Sequence, residues 1–296
     1  MKADLLALAA IALWGALAPL GVQLAHVPPF LLTGLGLLVG SVIALPLSRF
    51  QLARWIVPVP TLLVGIYGLF GFHFLLFMAL RHAPAVEANL INYLWPLGMV
   101  VMAPWFLKGV VLQTRHVLAA LIGFAGAAMA ILGRGGSADA LQSLHPGYLF
   151  ALASAFVWAS YSLRTRSLPA FATAAVGSFA ALSGALSLLC HLLLEPRVAL
   201  STHDFLLIGL LGLGPLGGAF FLWDAAIKLG DTRRIGLLAF ATPILSTALL
   251  LLTTGQPLQW NVALAAALVV GAAYMGSRDT TPPDAAAQDC RPPPDR

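Results

Sequence analysis

Residues 74–100 read FLLFMALRHAPAVEANLINYLWPLGMV, and residues 220–246 read FFLWDAAIKLGDTRRIGLLAFATPILS. Each stretch holds two apolar segments around a short polar turn, with a proline inside the second segment. Three pairs of residues match at an offset of 147 positions: Ala79 with Ala226, Arg81 with Lys228, and Pro96 with Pro243. This agreement predicts an internal repeat, in which two halves of the chain form similar helical units.

The composition of the chain places these units in a membrane. Apolar residues make up 60% of the sequence, charged residues 9%, and the mean hydropathy is +0.91. A soluble globular protein carries about 25% charged residues, so this chain could not cover its surface in water. Its two cysteines, Cys190 and Cys290, form neither a disulfide framework nor a metal site, and no cofactor is expected.

Helix-length apolar segments occur ten times along the chain. A transmembrane helix needs about 20 mostly apolar residues, and backbone hydrogen bonding in lipid favours helices over open sheets. We therefore predict an all-α integral membrane protein. The predicted spans are 4–24, 29–48, 58–80, 85–107, 114–133, 146–165, 169–194, 204–229, 234–253 and 258–277. Residues 278–296 are polar and proline-rich, which predicts a disordered cytoplasmic tail.

The lysines and arginines predict the orientation of these helices. Thirteen of the sixteen fall in segments that share one side of the membrane when the amino terminus is cytoplasmic. The three on the other side are Arg81, Arg134 and Arg197. This positive-inside pattern predicts an even number of spans, with both termini in the cytoplasm of a bacterial inner membrane. It also accounts for the net charge of +5 without a nucleic-acid partner.

The repeat predicts how the chain divides into domains. Residues 1–138 and 139–277 each contain five predicted spans, so the second half enters the membrane in the opposite orientation. A further offset of 144 positions pairs Trp14 with Trp158. Inverted repeats are typical of transporters, whose binding site lies at the repeat interface near the bilayer midplane. Chance similarity between two leucine-rich halves is the alternative interpretation.

The sequence also resembles a known family. The segments VEANLINYLWP (86–96) and LLAFATPILSTALLL (237–251), with the ten spans and the inverted repeat, are similar to EamA-type carriers of the drug/metabolite transporter superfamily. The elements NYLWP (92–96) and VWASYS (157–162) look most like the YddG-type aromatic amino acid exporters of bacterial inner membranes. The resemblance implies helices around a central cavity and export of amino acids or related metabolites by alternating access. Residues 72–74 depart from it, because they read Phe-His-Phe where such exporters often have tyrosines, which leaves the substrate range open.

Polar and aromatic side chains in residues 89–96 predict part of a substrate site. Asn89, Asn92 and Tyr93 recur on about one face of a helix, and Trp95 borders that face. Aromatic rings would hold an apolar side chain, and the polar groups would hold a zwitterionic head group. The alternative for the asparagines is hydrogen bonding between helices, at about 0.6–2 kcal/mol each.

Other residues at mid-membrane depth have candidate roles. Trp158 is too deep for the interfacial aromatic belt, so we expect its indole to line the cavity, whereas Trp14 is expected in the core. His73 is an ionisable group deep in a span, where a neutral imidazole binds either substrate or a neighbouring helix. Asp224 has Lys228 one turn later, which predicts a structural ion pair.

Prolines mark the candidate hinges. Pro96, Pro215 and Pro243 interrupt predicted spans, so we expect them at gating positions where one half of the protein moves against the other. Glycine and proline are also common in membrane helices without any gating role, and this alternative stays open.

No enzyme motif competes with a transport function. The sequence contains no HExxH, GxSxG or phosphate-binding loop, so no catalytic residue is expected. We predict an exporter of aromatic or other neutral amino acids, with a small-molecule substrate and the lipid bilayer as its partners. A broader metabolite or drug exporter of the same fold is the first alternative, and a membrane-embedded enzyme or assembly subunit is the second. A monomer is compatible with this function, and the sequence decides neither the oligomeric state nor any ion coupling.

Overall fold

The structure, a computed structural model, describes residues 2–83, 85–107, 109–132, 145–255 and 260–277. Within these ranges the regular secondary structure is helical, as the sequence predicts. The predicted boundary between the halves at residues 138–139 and the predicted disordered tail at residues 278–296 lie outside the described residues.

Sixteen α-helices, numbered in chain order, make up the described part of the chain. They are α1 Lys2–Gly15, α2 Leu17–Gln23, α3 Pro29–Ser41, α4 Ala44–Leu47, α5 Val59–Ile66, α6 Phe72–His82, α7 Ala85–Asn92, α8 Trp95–Phe106, α9 Thr114–Leu132, α10 Gly147–Thr165, α11 Val176–Leu194, α12 Thr202–Leu213, α13 Ala219–Leu229, α14 Thr232–Ala239, α15 Ala241–Thr254 and α16 Trp260–Ser277. Each of the ten predicted spans contains one of these helices or two consecutive ones.

Six helical runs in the described residues are long and apolar enough to cross a bilayer. They are Lys2–Gln23, Pro29–Leu47, Val59–His82, Thr173–Leu194, Thr202–Leu229 and Thr232–Thr253. Their length and composition are those of a multi-pass membrane protein.

The helix bounds recur along the chain. Adding 147 to the residue numbers that bound α6 and α7 gives the bounds of α13 and α14. The π-helical turns that precede α6 and α13, Tyr67–Gly71 and Gly214–Gly218, follow the same offset. In this stretch, the second half of the protein therefore reproduces the local helix breaks of the first half, at the offset found in the sequence.

A break interrupts the fourth predicted span and its counterpart in the second half. Tyr93 and Leu94 separate α7 from α8, and Phe240 separates α14 from α15. Pro96 and Pro243 follow these breaks. A proline has no amide hydrogen, and its ring displaces the carbonyl four residues earlier, which kinks or breaks a helix. The single helical face predicted for this segment is therefore divided at Tyr93.

Glycines allow the segment around the first π-helical turn to approach the second half closely. A methyl group on Gly65 would overlap the ring of Phe179 on α11, and one on Gly68 would overlap the ring of Tyr161 on α10. Both aromatic side chains are buried. Packing here depends on a backbone that lies directly against aromatic rings, as is common where membrane helices meet.

We expect Gly65→Ala to lower the free energy of unfolding by about 1–3 kcal/mol, because the added methyl group must displace the buried Phe179 ring. Thermal unfolding in one detergent would measure the effect. Gly209→Ala is the matched control, because nothing in the described part of the protein lies within 4 Å of its added carbon apart from the adjoining backbone of its own helix. Equal stability of the two variants would contradict the close approach at Gly65.

Hydrogen bonds join the helices at one end of the bundle, which we call the basic end. It is formed by the start of α1, the ends of α8 and α10, and the turn between α13 and α14. The Ser167 hydroxyl donates to the carbonyl of Phe106 at 2.8 Å, and Arg234 pairs with Asp4 at 3.1 Å. Arg166 donates to the carbonyl of Ile227 at the end of α13 at 3.0 Å. These contacts connect helices from both halves of the chain.

A buried carboxylate joins three helices at the opposite end, which we call the far end. Glu195, whose side chain is fully buried, accepts hydrogen bonds from the amides of Phe30 and Leu31 at 3.0 and 3.2 Å. It also pairs with Arg81 at 3.1 Å and accepts a bond from His191 at 2.9 Å. The carboxylate thus satisfies the first amides of α3, where the helix dipole favours negative charge, and ties that helix to α6 and α11.

Candidate functional site

A cavity of about 250 Å³ lies among helices from both halves of the chain. All six residues predicted for the substrate site line it: His73, Asn89, Asn92, Tyr93, Trp95 and Trp158. Leu17 and Gly21 on α2 and Leu32 on α3 also line the cavity, which therefore extends towards the far end. The structure brings the predicted residues together, and their contact with a substrate stays a prediction.

Three tryptophans form an aromatic cluster at the wall of the cavity. The ring centroid of Trp14 lies 6.4 Å from that of Trp95 and 5.9 Å from that of Trp158. The centroids of Trp95 and Trp158 are 6.3 Å apart. The interplanar angles of 82°, 76° and 86° make these edge-to-face contacts, which are favourable for aromatic rings. Trp14 was expected in the core; it is buried, but it also lines the cavity.

Trp223 extends this cluster away from the cavity. Its ring lies 5.1 Å from Trp14 and 5.6 Å from Trp95, and its Nε1–H donates to the hydroxyl of Ser162 at 3.2 Å. The side chain is 1% exposed, so it does not face lipid, and Trp223 is not among the residues that line the central cavity. Trp223 therefore supports the cluster from behind.

The two asparagines differ in how the structure holds them. The Asn92 amide oxygen accepts a hydrogen bond from the hydroxyl of Ser154 on α10 at 2.8 Å. Asn92 thus connects two helices, as the alternative interpretation predicted, and it lines the cavity as well. The NH₂ group and the second lone pair of the amide oxygen remain for a ligand. Asn89 lines the cavity one turn earlier on α7.

His73 is buried at the cavity wall on α6. Its Nδ1 lies 2.6 Å from the carbonyl oxygen of Leu69, one turn earlier. A carbonyl oxygen can only accept, so Nδ1 carries the hydrogen atom. The rings of Phe72, Phe77 and Phe220 have centroids 5.1, 6.1 and 6.0 Å from the imidazole. The imidazole therefore lies among three phenyl rings.

Each predicted gating proline lies where a helix is interrupted. Pro96 and Pro243 are in the first turns of α8 and α15, and Pro215 is in the π-helical turn Gly214–Gly218. These positions fit hinges between rigid helical segments. Gating by these prolines stays a prediction.

Thr242, on the first turn of α15, is a cavity residue that the sequence interpretation missed. It is buried, and its hydroxyl has no hydrogen-bond partner in the described part of the protein. A signal for it was present in the sequence, because an offset of 147 places Thr242 opposite Trp95, each directly before a proline.

The predicted ion pair between Asp224 and Lys228 is confirmed on α13, with 2.6 Å between the lysine nitrogen and Oδ2. The Thr173 hydroxyl donates to the same oxygen at 2.7 Å. The lysine nitrogen also donates to the carbonyl of Phe171 at 3.1 Å and lies 3.5 Å from the centroid of that ring. The pair thus attaches the segment before α11 to α13.

A second pocket, of about 700 Å³, lies at the basic end. Phe106, Arg166, Thr232 and Arg233 are among its lining residues. In the described part of the chain, the two pockets have no lining residue in common. The two pockets are therefore lined by different parts of the bundle.

Comparisons with known proteins agree with this architecture. The EamA-like transporter family matches residues 1–132 and 145–278. The chain is 40% identical over 282 residues to the aromatic amino acid exporter YddG of Ancylobacter novellus, covering 93% of this chain and 97% of that protein. It is 28% identical over 279 residues to the Salmonella typhimurium protein of the same name, covering 88% and 91%. A solved crystal structure at 39% identity aligns with a TM-score of 0.86, over 94% of this chain and 98% of the other.

An all-helical, multi-pass membrane protein with an aromatic and polar cavity between its halves has the architecture of a small-molecule transporter. The chain belongs to the EamA-like transporter family, in agreement with the resemblance found in the sequence.

Proposed function

We propose that the chain forms ten transmembrane helices in two inverted five-helix repeats, residues 1–138 and 139–277, around the central cavity. The recurrence of helix bounds at an offset of 147 residues supports this arrangement. The two stretches matched by the family, residues 1–132 and 145–278, have nearly equal length, which also supports it. Such repeats generally place the solute site at their interface.

In this proposal, both termini and the basic end face the cytoplasm of a bacterial inner membrane. The support is the positive-inside distribution of lysine and arginine, which is dense around Arg166, Arg233 and Arg234. One chain supplies the lining of the central cavity, so the proposed functional unit is a monomer.

The proposed activity is the export of aromatic and other neutral amino acids. The observation that carries this proposal is the lining of one cavity by three indole rings together with amide and imidazole groups. The rings suit an apolar or aromatic side chain, at about 0.5–1.5 kcal/mol for each favourable ring pair. The relatives from Ancylobacter novellus and Salmonella typhimurium are named aromatic amino acid exporters, which supports the same substrate class.

Each proposed site residue has a part in this activity. Trp95 and Trp158 pack against the side chain of the amino acid, with Tyr93 beside them. Asn89 and Asn92 bond its charged head group through their amides. The cavity volume of about 250 Å³ is below the roughly 300–1,000 Å³ of drug-sized sites, so it suits one small solute.

Transport then follows by alternating access. In the described conformation the cavity extends towards the far end, and hydrogen bonds such as Ser167 to Phe106 close the basic end. Loading from the cytoplasm requires the opposite arrangement, in which these basic-end contacts separate. Pro96, Pro215 and Pro243 provide the interruptions at which the helices bend.

A flux panel in proteoliposomes tests the activity. We expect protein-dependent movement of tryptophan, tyrosine and phenylalanine, and no movement in liposomes without protein. Running the panel with and without a pH gradient establishes whether protons are coupled to transport. Absence of aromatic amino acid flux in both conditions would reject the proposal.

The same panel distinguishes the two alternatives. A broader metabolite or drug exporter of this fold predicts flux of cationic dyes in the absence of amino acid flux. A membrane-embedded enzyme or assembly subunit predicts no protein-dependent flux of any solute. The family's transporter character and the central cavity favour the amino acid exporter over the second alternative.

A further inference from the structure

We propose that His73 determines specificity in the central cavity by accepting a hydrogen bond from an N–H or O–H group on the aromatic ring of the substrate. This inference rests on the proposed export of aromatic amino acids and makes it more specific. Tryptophan and tyrosine carry such a donor on their rings, and phenylalanine carries none. The site therefore prefers tryptophan and tyrosine to phenylalanine.

The orientation of the imidazole follows from its own helix. Nδ1–H donates to the Leu69 carbonyl at 2.6 Å, so this nitrogen is directed along the backbone of α6. Nε2 lies across the five-membered ring and is directed away from that backbone. Within the described residues, His73 makes no other hydrogen bond. Since the residue lines the cavity, Nε2 is the polar atom that it offers to a ligand.

The chemistry of Nε2 follows from the surroundings of the ring. The neighbours of the imidazole are phenyl rings, and His73 forms no ion pair in the described part of the chain. Burying a charge without a partner costs several kcal/mol, so the imidazole is neutral. A neutral imidazole with its hydrogen on Nδ1 has an acceptor lone pair on Nε2.

The position of His73 selects the part of the substrate that it contacts. Phe72 and Phe220 each contact both the imidazole and Trp158. The centroid of the Trp158 ring lies 5.2 Å from that of Phe72 and 5.6 Å from that of Phe220. His73 therefore belongs to the aromatic part of the cavity, whereas the amide of Asn92 is on α7. An indole or phenol that packs on Trp158 brings its ring edge to Nε2.

Any substrate that packs against His73 displaces the water molecule that would otherwise donate a hydrogen bond to Nε2. The preference between substrates follows from what replaces this water. A bound indole N–H or phenol O–H replaces that water as a donor, whereas a phenyl ring excludes the water and leaves the acceptor unpaired. Sites built around a substrate donor discriminate against analogues that lack it. A single neutral hydrogen bond of this kind corresponds to a preference of about tenfold.

Transport kinetics in proteoliposomes test the proposal with tryptophan, tyrosine, phenylalanine and 3-benzothienylalanine, which has sulfur in place of the indole N–H. We expect the wild-type protein to transport tryptophan about tenfold more efficiently than the sulfur analogue. In His73→Phe, tryptophan and tyrosine transport should fall about tenfold, with phenylalanine and the sulfur analogue within twofold of wild type. Leu76→Val is the matched control, because Leu76 lines the same cavity without a polar group, and it should affect all four substrates alike.

Two results would overturn the role of His73 while leaving the proposed transport intact. They are equal loss of all four substrates in His73→Phe, and wild-type transport that does not distinguish tryptophan from its sulfur analogue. If His73→Phe does not fold, the wild-type comparison alone decides the question. If the wild-type protein moves none of the four compounds, the proposed function itself fails and this inference fails with it.

Discussion

Replacing Trp158 with alanine should reduce tryptophan transport in proteoliposomes by about 10- to 100-fold. Trp158 is 3% exposed and contacts the rings of Trp14, Trp95 and Phe220 with centroids 5.9, 6.3 and 5.6 Å away. In the proposed complex the variant also loses the ring contact between Trp158 and the substrate. Such a contact is worth about 0.5–1.5 kcal/mol beyond the burial of the two rings, and about 1.4 kcal/mol corresponds to a factor of ten in binding. The variant loses one wall of the cavity and the support that this wall gives to Trp95.

A second tryptophan provides a matched control for this experiment. Trp105 on α8 is 78% exposed, so Trp105→Ala makes the same chemical change on a surface that faces away from the cavity. We expect its tryptophan flux to stay within twofold of wild type. Trp158→Phe should give an intermediate loss, because it keeps a ring in the cluster. Equal loss in Trp158→Ala and Trp105→Ala would place the effect outside the cavity and contradict the proposed site.

Removing the charge of Asp224 should have the largest effect on stability. The carboxylate is 2% exposed and pairs with Lys228 at 2.6 Å. In Asp224→Asn the ammonium of Lys228 stays partly buried against Phe171 without a negative partner. Breaking a buried ion pair in this way costs about 3–5 kcal/mol. Thermal unfolding in detergent should register this as a clear loss of stability.

Two further variants separate the ion pair from general disruption. The double variant Asp224→Asn with Lys228→Met should recover much of the lost stability, because a buried pair replaced as a whole is often nearly neutral. Asp231→Asn breaks the pair with Arg233, in which Asp231 is 40% exposed, and should cost at most about 1 kcal/mol. A double variant as unstable as Asp224→Asn would disprove the ion-pair interpretation.

Features that depend on nearby residues were predictable from the sequence. The helical character of the spans follows from runs of apolar residues, and the helix breaks near Pro96 and Pro243 follow from proline's missing amide hydrogen. The pairing of Asp224 with Lys228 follows from their separation by one helical turn. The six candidate site residues were recognisable because polar and indole groups are costly in lipid and therefore concentrate at cavities and helix contacts.

Features that depend on distant residues were not predictable in this way. Trp14 looked like a core residue, and only the approach of α1 to α8 and α10 places its ring at the cavity. Thr242 has no polar residue next to it in the sequence, and only its match with Trp95 in the repeat marks it as a cavity residue. The choice of Ser154 as the partner of Asn92 spans 62 positions and requires α7 to lie against α10.

The amino-acid sequence alone determined that this chain is a helical membrane protein, and it predicted an internal repeat, because hydropathy, charge placement and residue offsets are properties of the chain itself. The tertiary structure decided that the indoles of Trp14, Trp95 and Trp158 meet at one cavity, and that His73 lies at the same cavity with its Nδ1 bonded to the Leu69 carbonyl. Those arrangements arise from contacts between helices that are far apart in the chain. The local sequence pattern allows many pairs of helices to be neighbours, and close packing of their side chains decides which pairs meet.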